Sequence, residues 1–487
     1  MGRPPNARST GDTIPATLTI RMYRVSVGDC FLVTFRQGDA APFRMLIDCG
    51  IHQSKSGGSD IIRRAVQDIV EETGGILDLL VVTHEHADHI SGFRLARRHF
   101  LTDAQDKKLD VRETWFAWTE DDRDPFARDL IRKRRRAVRA LTRANARMRM
   151  LGLAGADNPL EGLLGFMEPP APDDDQDGGA GQGLGFMGGG AGSHSIQAFE
   201  TIKTISRAIR YRTPGETPFE IPCIDARIFV LGPPRDKELI KRSDPGRNGD
   251  EVYHFGAYGD ALAAIEPAFD VHADRPFDDS VTLPLEASRS IGFFQNHYWL
   301  DCCPGPIEAG KEATTQGWRR IGHDWLNAAT SLALKLDHDT NNTSLVLAVE
   351  LGKKDENGPV VLFAADAQVG NWLSWQDVAW DDCHGRRVTG PDLLARTIVY
   401  KTGHHGSHNA TLREKGLELM DALELALVPT DRAMAETVKW GDFPLPSLME
   451  RLREKTAGRV IRSDRSLPEA TGRFSFRESD LFYEVTF

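Results

Sequence analysis

The stretch VVTHEHADHISG, residues 81–92, decides how this chain is read. It places His84, His86, Asp88 and His89 within six residues. The run LDLLVVT (77–83) that feeds it is continuously apolar, as in a strand covered on both faces. A loop leaving such a strand can aim closely spaced imidazoles and a carboxylate at one point. Three histidines and an aspartate suit zinc, or manganese or iron as the share of carboxylates rises.

Outward from this loop, the pattern alternates between strand and helix. Residues 17–49 alternate as β, with Gly28-Asp29 as a turn. Residues 59–73 have helical spacing, with Ser59 or Asp60 as N-cap and Gly74-Gly75 as the stop. A helix near Gly92, a strand at 111–119 and helical segments at 127–151 and 194–211 follow. Strands return at 226–234, 344–351, 360–367, 424–431, 459–464 and 473–487, residues 397–407 are a strand leading into a loop, residues 318–336 a helix running into a strand, and 445–456 a helix. Two β-rich halves flanked by helices predict an α/β sandwich. Residues 17–119 and 221–487 form the two halves. Residues 120–220 form an insertion with a basic helix and a Gly-rich linker (169–193), and an irregular insertion occupies 235–315.

Composition excludes some classes. No stretch approaches the ~18 uncharged apolar residues of a membrane span. The start, MGRPPNARSTGDT, has no apolar leader, so a cytoplasmic location is expected. Cys30, Cys49, Cys223, Cys302, Cys303 and Cys383 include no CxxC pair and are expected as reduced thiols. The formal net charge of −11 argues against a polyanionic partner. Residues 127–151 reverse that locally: ten basic residues and one acid make +9, leaving −20 for the remainder. Leu130, Ile131, Val138, Leu141, Met148 and Leu151 would face a core. Arg134, Arg135, Arg139 and Arg143 would form a row suited to nucleic-acid phosphates. A solvated or protein-binding face is the other reading of that row. Trp372, Trp375 and Trp380 read as a packed cap.

The HxHxDH motif resembles that of the metallo-β-lactamase-fold hydrolases. LIDCG (46–50), LFAADA (362–367) and KTGHHGS (401–407) follow in that family's order. NNTSLVL (341–347), FVLGPP (229–234) and PLPSLMERLREKTAGRVIRSD (444–464) are similar to the metallo-hydrolase domain of the ComEC family of DNA-uptake channels. The resemblance covers about 17–119, 224–234 and 318–487, and the membrane channel has no counterpart.

The resemblance implies an αββα sandwich with two divalent metal ions, zinc first and manganese or iron as alternatives. His84 and His86 would hold the first ion, Asp88, His89 and His404 the second, and Asp366 would bridge them. Asp48 would orient a ligand imidazole from behind. Two ions ~3.5–4 Å apart can share a hydroxide that is nucleophilic near neutral pH. Asp88 would also serve catalysis, with Lys401 as a cation for the transition state and His405 as a proton donor or support for a ligand. This chain has HDTNNTS (338–344) where many relatives carry a third histidine, so His338 or Asn342 would substitute. It also has Ala365-Asp366 in place of Gly-Asp. The expected activity is phosphodiester hydrolysis of DNA, or of RNA. The alternatives are hydrolysis of a small phosphoester, cyclic nucleotide or lactone, and a metal-poor binding subunit of a defence-type complex with a protein partner.

Overall fold

The alternating residues from Thr17 onward and the apolar run before His84 become strands of one sheet. Successive side chains of a strand point to opposite faces, so a run buried on both faces is apolar throughout. In chain order the elements are β1 (Thr17–Tyr23), β2 (Phe31–Arg36), β3 (Phe43–Ile47), α1 (Gly58–Thr73), β4 (Ile76–Val81), α2 (Ala87–Leu95), β5 (Asp110–Ala117), α3 (Pro125–Met150), α4 (His194–Ile205) and β6 (Ile209–Arg212). They continue with β7 (Phe219–Glu220), β8 (Ala226–Gly232), α5 (Asp324–Asn341), β9 (Val346–Leu351), β10 (Val360–Phe363), β11 (Ala379–Asp381) and β12 (Arg387–Thr389). The last are β13 (Thr397–Lys401), β14 (Leu425–Val428), α6 (Pro446–Lys455), β15 (Val460–Arg462), β16 (Ser475–Glu478) and β17 (Phe482–Thr486).

This computed structural model describes residues 16–150 except 53, 54 and 105, residue 167, 194–242, pieces between 283 and 298, 324–437 except 354–356 and 382–386, and 443–487 except 470 and 471. The Gly-rich segment 169–193, most of 235–315, and Cys302, Cys303 and Cys383 lie outside the described residues. The chain divides into two units. One comprises Met1–Arg135, Gly162–Val252 and Leu336–Phe487, and the other Arg136–Glu161 and Tyr253–Lys335.

The first unit is mixed α/β. One sheet runs β16-β17-β1-β2-β3-β4-β5-β6 and the other β15-β14-β13-β10-β9-β8-β7. In the first, β3 to β6 pair parallel and the rest antiparallel. In the second, β10, β13, β14 and β15 pair parallel. A shared core takes Phe31, Val33, Met45 and Val81 from one sheet and Val230, Leu347, Phe363 and Val399 from the other. The far face of the first sheet packs on α1, α2 and α4 through Ile62, Ile69, Phe93 and Ile202. The far face of the second packs on Trp372, Trp375, Leu393 and Leu452. Every residue of β8, β9, β10, β13 and β14 is buried, which accounts for their largely apolar sequences, and the charged Arg227, Glu350 and Lys401 among them are ion-paired. Each parallel segment ends at one edge, where Asp48, His84, Asp366 and His405 follow β3, β4, β10 and β13.

Several local expectations are corrected. The helix expected near Gly92 starts at Ala87, so Asp88 and His89 lie in its first turn. A carboxylate there is favoured by the helix dipole. The helix expected over 194–211 ends at Ile205, and Ile209–Arg212 instead pairs parallel with β5. Its Ile-Arg-Tyr-Arg alternation suits a half-buried edge. Helix α1 is capped by Gly57 rather than Ser59 or Asp60. The segment 318–336, read as a helix running into a strand, belongs from Asp324 onward to helix α5, which continues to Asn341. Cys30, Cys49 and Cys223 are free thiols. Among the described residues, no helix is long and apolar enough to cross a membrane.

One buried cation ties the first sheet to its helices. Arg21 on β1 is 4 % exposed and donates to Glu484 Oε2 (2.8 Å), Asp68 Oδ2 (2.6 Å) and Glu72 Oε2 (2.9 Å). Burial alone would raise the Glu484 carboxyl, but hydrogen bonds from Arg477 and Arg21 hold it below its usual value. A depressed carboxyl contributes stability that is present above its unfolded value and lost as pH falls through the folded one. Removing Arg21 takes a buried guanidinium from three partly exposed carboxylates, of which Asp68 keeps the Tyr23 hydroxyl and Glu484 keeps Arg477, at a cost of about 1–3 kcal/mol. Arg21→Met should therefore lower the urea midpoint at neutral pH. It should also flatten the loss of stability between roughly pH 5 and 3, since part of that loss is the Glu484 contribution.

Candidate metal centre

The edge where β3, β4, β10 and β13 end is lined with charge that the core cannot solvate. Asp88, His89, Asp366 and His405 place ligand atoms within 4.8 Å of one another, and all four are buried. Asp88 and His89 come from the first sheet's edge, Asp366 and His405 from the second's. His89 Nε2 lies 3.1 Å from Asp366 Oδ2 and 3.8 Å from Asp88 Oδ2. His405 Nε2 lies 3.0 Å from Asp88 Oδ2 and 3.6 Å from Asp366 Oδ2.

Each imidazole is oriented from behind. His89 Nδ1 donates to Asp48 Oδ2 at 2.7 Å, which turns Nε2 toward Asp366. Asp48 also accepts from the Thr83 amide (2.8 Å) and hydroxyl (2.6 Å), which fixes the carboxylate. His405 Nδ1 donates to the Pro429 carbonyl at 2.8 Å, leaving Nε2 to face the cluster. His84 Nδ1 is met by Thr83 Oγ1 at 3.1 Å and Ser344 Oγ at 3.3 Å, and its Nε2 lies 4.0 Å from Asp366 Oδ2. The His84 ring centroid is 4.8 Å from that of His86 and 4.1 Å from that of His89. Asp48, Ala365, His404 and His405 have φ of +54°, +49°, +36° and +52°. Positive φ at non-glycine residues is strained and concentrates at functional sites.

The electrostatics show what the cluster lacks. Burial would raise the Asp88 carboxyl, but His89 and His405 hold it below the usual range. Burial lowers His89, yet Asp366, Asp88 and Asp48 outweigh it and hold the imidazole well above its ordinary value. Asp366 and Asp88 do the same for His405. Burial pushes His84 down, and His86 to about 4. His84 Nε2, Asp88 Oδ1 and both carboxylate oxygens of Asp366 have no hydrogen bond among the described residues. Buried polar atoms are normally satisfied. A histidine Nε2 and carboxylate oxygens without hydrogen bonds, on residues in or beside the Asp88–His89–Asp366–His405 cluster, form a donor set that fits a divalent cation.

Other expected site residues sit differently. His404 was expected as the second ion's ligand, but His405 is the member of the cluster. The His404 ring is met by Ser407 Oγ (2.9 Å), Gln368 Nε2 (3.2 Å) and Asn341 Nδ2 (3.4 Å). The φ values through Gly403–Gly406 turn consecutive histidines to different sides. Asn342 is engaged by its neighbours. Its Oδ1 accepts from the Asn371 amide (3.2 Å) and its Nδ2 donates to the Arg242 carbonyl (2.8 Å). His338 is half-buried in the last turn of α5, outside the four-residue cluster. Lys401 is 1 % exposed, paired with Asp29, and donates to the Ala365 carbonyl at 2.9 Å. It is therefore no open cation for a transition state.

Arg134 is also corrected. It is buried, paired with Glu85 and donating to Glu120 at 3.0 Å, so it does not belong to an exposed row. The buried stripe of α3 is Ala127, Ile131, Arg134, Ala137, Ala140, Leu141 and Ala144. Arg135 and Arg139 are half-buried and Arg143 is exposed. Val138, expected inside, is half-buried, while Met148 and Leu151 lie outside the residues described in that detail. Trp372, Trp375 and Trp380 are packed in the core of the second sheet.

Sequence reasoning missed Asp29, Ser344 and the Glu85–Arg134–Glu120 pairing. Asp29 lay in a Gly-Asp turn with no chemical spacing to mark it. No family model, no curated protein and no solved structure matches this chain.

Two substitutions test the centre. Asp48→Asn tolerates the left-handed backbone but gives up the charge behind His89, and should weaken metal affinity about 10–100-fold in a calorimetric titration. Arg134→Met leaves two carboxylates without their counter-charge, and should cost about 3 kcal/mol in denaturant unfolding.

Proposed function

We propose that this protein is a metal-dependent hydrolase of the metallo-β-lactamase fold, acting as a phosphodiesterase on DNA or RNA. The carrying observation is the buried Asp88–His89–Asp366–His405 cluster, with carboxylate oxygens that no hydrogen bond satisfies. Two mixed sheets on one core with helices on both outer faces support the αββα sandwich of that family. Asp88, His89, Asp366 and His405 would hold one divalent ion, and His84, His86 and Asp366 another. When bound, such ions supply Lewis acidity and an ionised water at neutral pH.

The chain's own residues do the positioning. Asp48 and the Pro429 carbonyl fix the tautomers of His89 and His405, so that Nε2 of each faces the reacting volume. Thr83 and Ser344 do the same for His84. The nucleic-acid reading draws on Arg135, Arg139 and Arg143 of α3, reduced by the loss of Arg134. The second reading, hydrolysis of a small phosphoester, cyclic nucleotide or lactone, draws on the depth of the cluster: Asp88, His89 and His405 are each 0 % exposed. Fold does not choose between these substrates.

Protein loaded with Mn²⁺ or Zn²⁺ should cleave DNA or RNA, and His89→Ala and Asp366→Asn should abolish cleavage. Arg139→Glu with Arg143→Glu should weaken DNA binding and flatten its salt dependence, while hydrolysis of bis-p-nitrophenyl phosphate persists. Turnover of the small diester with no cleavage of any nucleic acid would select the second reading.

A further inference from the structure

We infer that the buried Lys401–Asp29 ion pair is a positioning device that joins the two ligand-bearing edges and sets the metal site's geometry; this rests on the metal reading above. The pair lies entirely inside the protein, with side chains 1 % and 2 % exposed. Its two ends are anchored on opposite sheets.

Asp29 belongs to the turn between β1 and β2. Its amide donates to the Asp88 carbonyl at 3.0 Å, and its carbonyl accepts from the Gly50 amide at 3.0 Å. The approach is close enough that a Cβ on Gly28 would meet the Gly50 carbonyl oxygen at 2.6 Å. A Cβ on Gly50 would meet the Asp88 carbonyl at 2.2 Å. The turn is thereby locked to the backbone of Asp88. Asp29 Oδ1 also lies 3.7 Å from His405 Nδ1, and Oδ2 lies 3.9 Å from His89 Nδ1.

Lys401 ends β13. Its ammonium donates to the Ala365 carbonyl at 2.9 Å and lies 3.7 Å from Asp366 Oδ1. Ala365 holds φ +49°, and the backbone turn there aims Asp366 at the cluster. The same carbonyl accepts from the His404 amide at 3.1 Å. Lys401 therefore fixes the turn that presents Asp366, while Asp29 fixes the turn that presents Asp88. The ion pair connects them and holds the spacing between carboxylates supplied by different sheets.

This role has a sign opposite to simple electrostatics. An ammonium 3.7 Å from Asp366 repels a cation bound there. Removing it would tighten metal binding if charge were its only contribution. Removing it weakens binding if it holds the geometry, because groups that orient ligands are worth about 10–100-fold in affinity.

The test uses the full chain titrated with Co²⁺, followed by calorimetry and by the d–d absorption bands. Lys401→Met should raise the Co²⁺ dissociation constant at least 10-fold and shift the bands. Asp29→Asn with Lys401→Met removes both charges while keeping side-chain volume, which protects the fold where the single change leaves Asp29 unpaired. Its circular dichroism should match the wild type, and its Co²⁺ affinity should stay at least 10-fold weaker. Equal or tighter binding with unchanged bands in either folded variant would overturn the positioning role. A wild type that takes up no Co²⁺ would overturn the metal reading together with it.

Discussion

The hydrogen bond between His89 Nδ1 and Asp48, 2.7 Å long and wholly buried, determines which nitrogen His89 turns to the centre. With Nδ1 engaged, Nε2 faces Asp366 across 3.1 Å. Asp48 can do this because β3 and β4 lie side by side and parallel, so the residues just past their ends share one edge. Residues beyond the carboxyl ends of parallel strands are a recurrent place for ligand sites. The second sheet repeats the device. β10 and β13 are also parallel neighbours, and Asp366 and His405 follow them. The two sheets close on one apolar core, which brings the two edges together.

That arrangement collects negative charge where water is excluded. Asp29, Asp48, Asp88 and Asp366 are each no more than 1 % exposed. Isolated buried carboxylates are costly, and they persist when paired or when they coordinate a cation. Lys401 answers Asp29, and His89 answers Asp48. Asp88 is answered by the imidazoles of His89 and His405, and Asp366 by those imidazoles and, at 3.7 Å, by the Lys401 ammonium that Asp29 already engages. The elevated His89 and His405 and the depressed Asp88 and Asp366 are four readings of one deficit of positive charge. Strain accompanies it: the left-handed residues Asp48, Ala365, His404 and His405 all lie at these strand ends. An Ala at φ +49° carries a steric cost that glycine would not, roughly 1–2 kcal/mol.

Much of this was legible in the sequence, and what was not shares a physical cause. Continuous apolar runs identify buried strands because both faces must be apolar, so β4, β9, β10 and β13 could be placed within a few residues. The HxHxDH spacing points to a shared target because the strand before it is recognisable. The adjacent pair His404-His405 carries no such information. Which imidazole turns inward depends on φ at two residues, and neighbouring histidines have the same composition whichever way they face. The surroundings of Asn342 and His338 were not legible either, for a different reason. Their helix runs to Asn341, further than propensity suggested, and Asn342 is drawn to Asn371 and Arg242. The strand over 209–212 was missed because four alternating residues weigh little beside a preceding helix.

Arg134 illustrates the limit of charge patterning more sharply. In sequence it is one of five consecutive basic residues, and helical periodicity built on apolar positions assigns it to the outer face. The buried face of α3 is instead made mostly of alanine, which contributes little apolar area and leaves room for a long side chain. Glu85 and Glu120 supply the partners that make burial of a guanidinium tolerable. Glu85 stands between His84 and His86, so the pairing ties the root of α3 to the metal-facing loop. A helix that reads as a surface for polyanions therefore has one of its basic residues committed to the shape of the centre. Under the proposed nucleic-acid reading, its remaining arginines would act only from Arg135 outward. That places the electrostatic test of function on Arg139 and Arg143, and the structural test on Arg134.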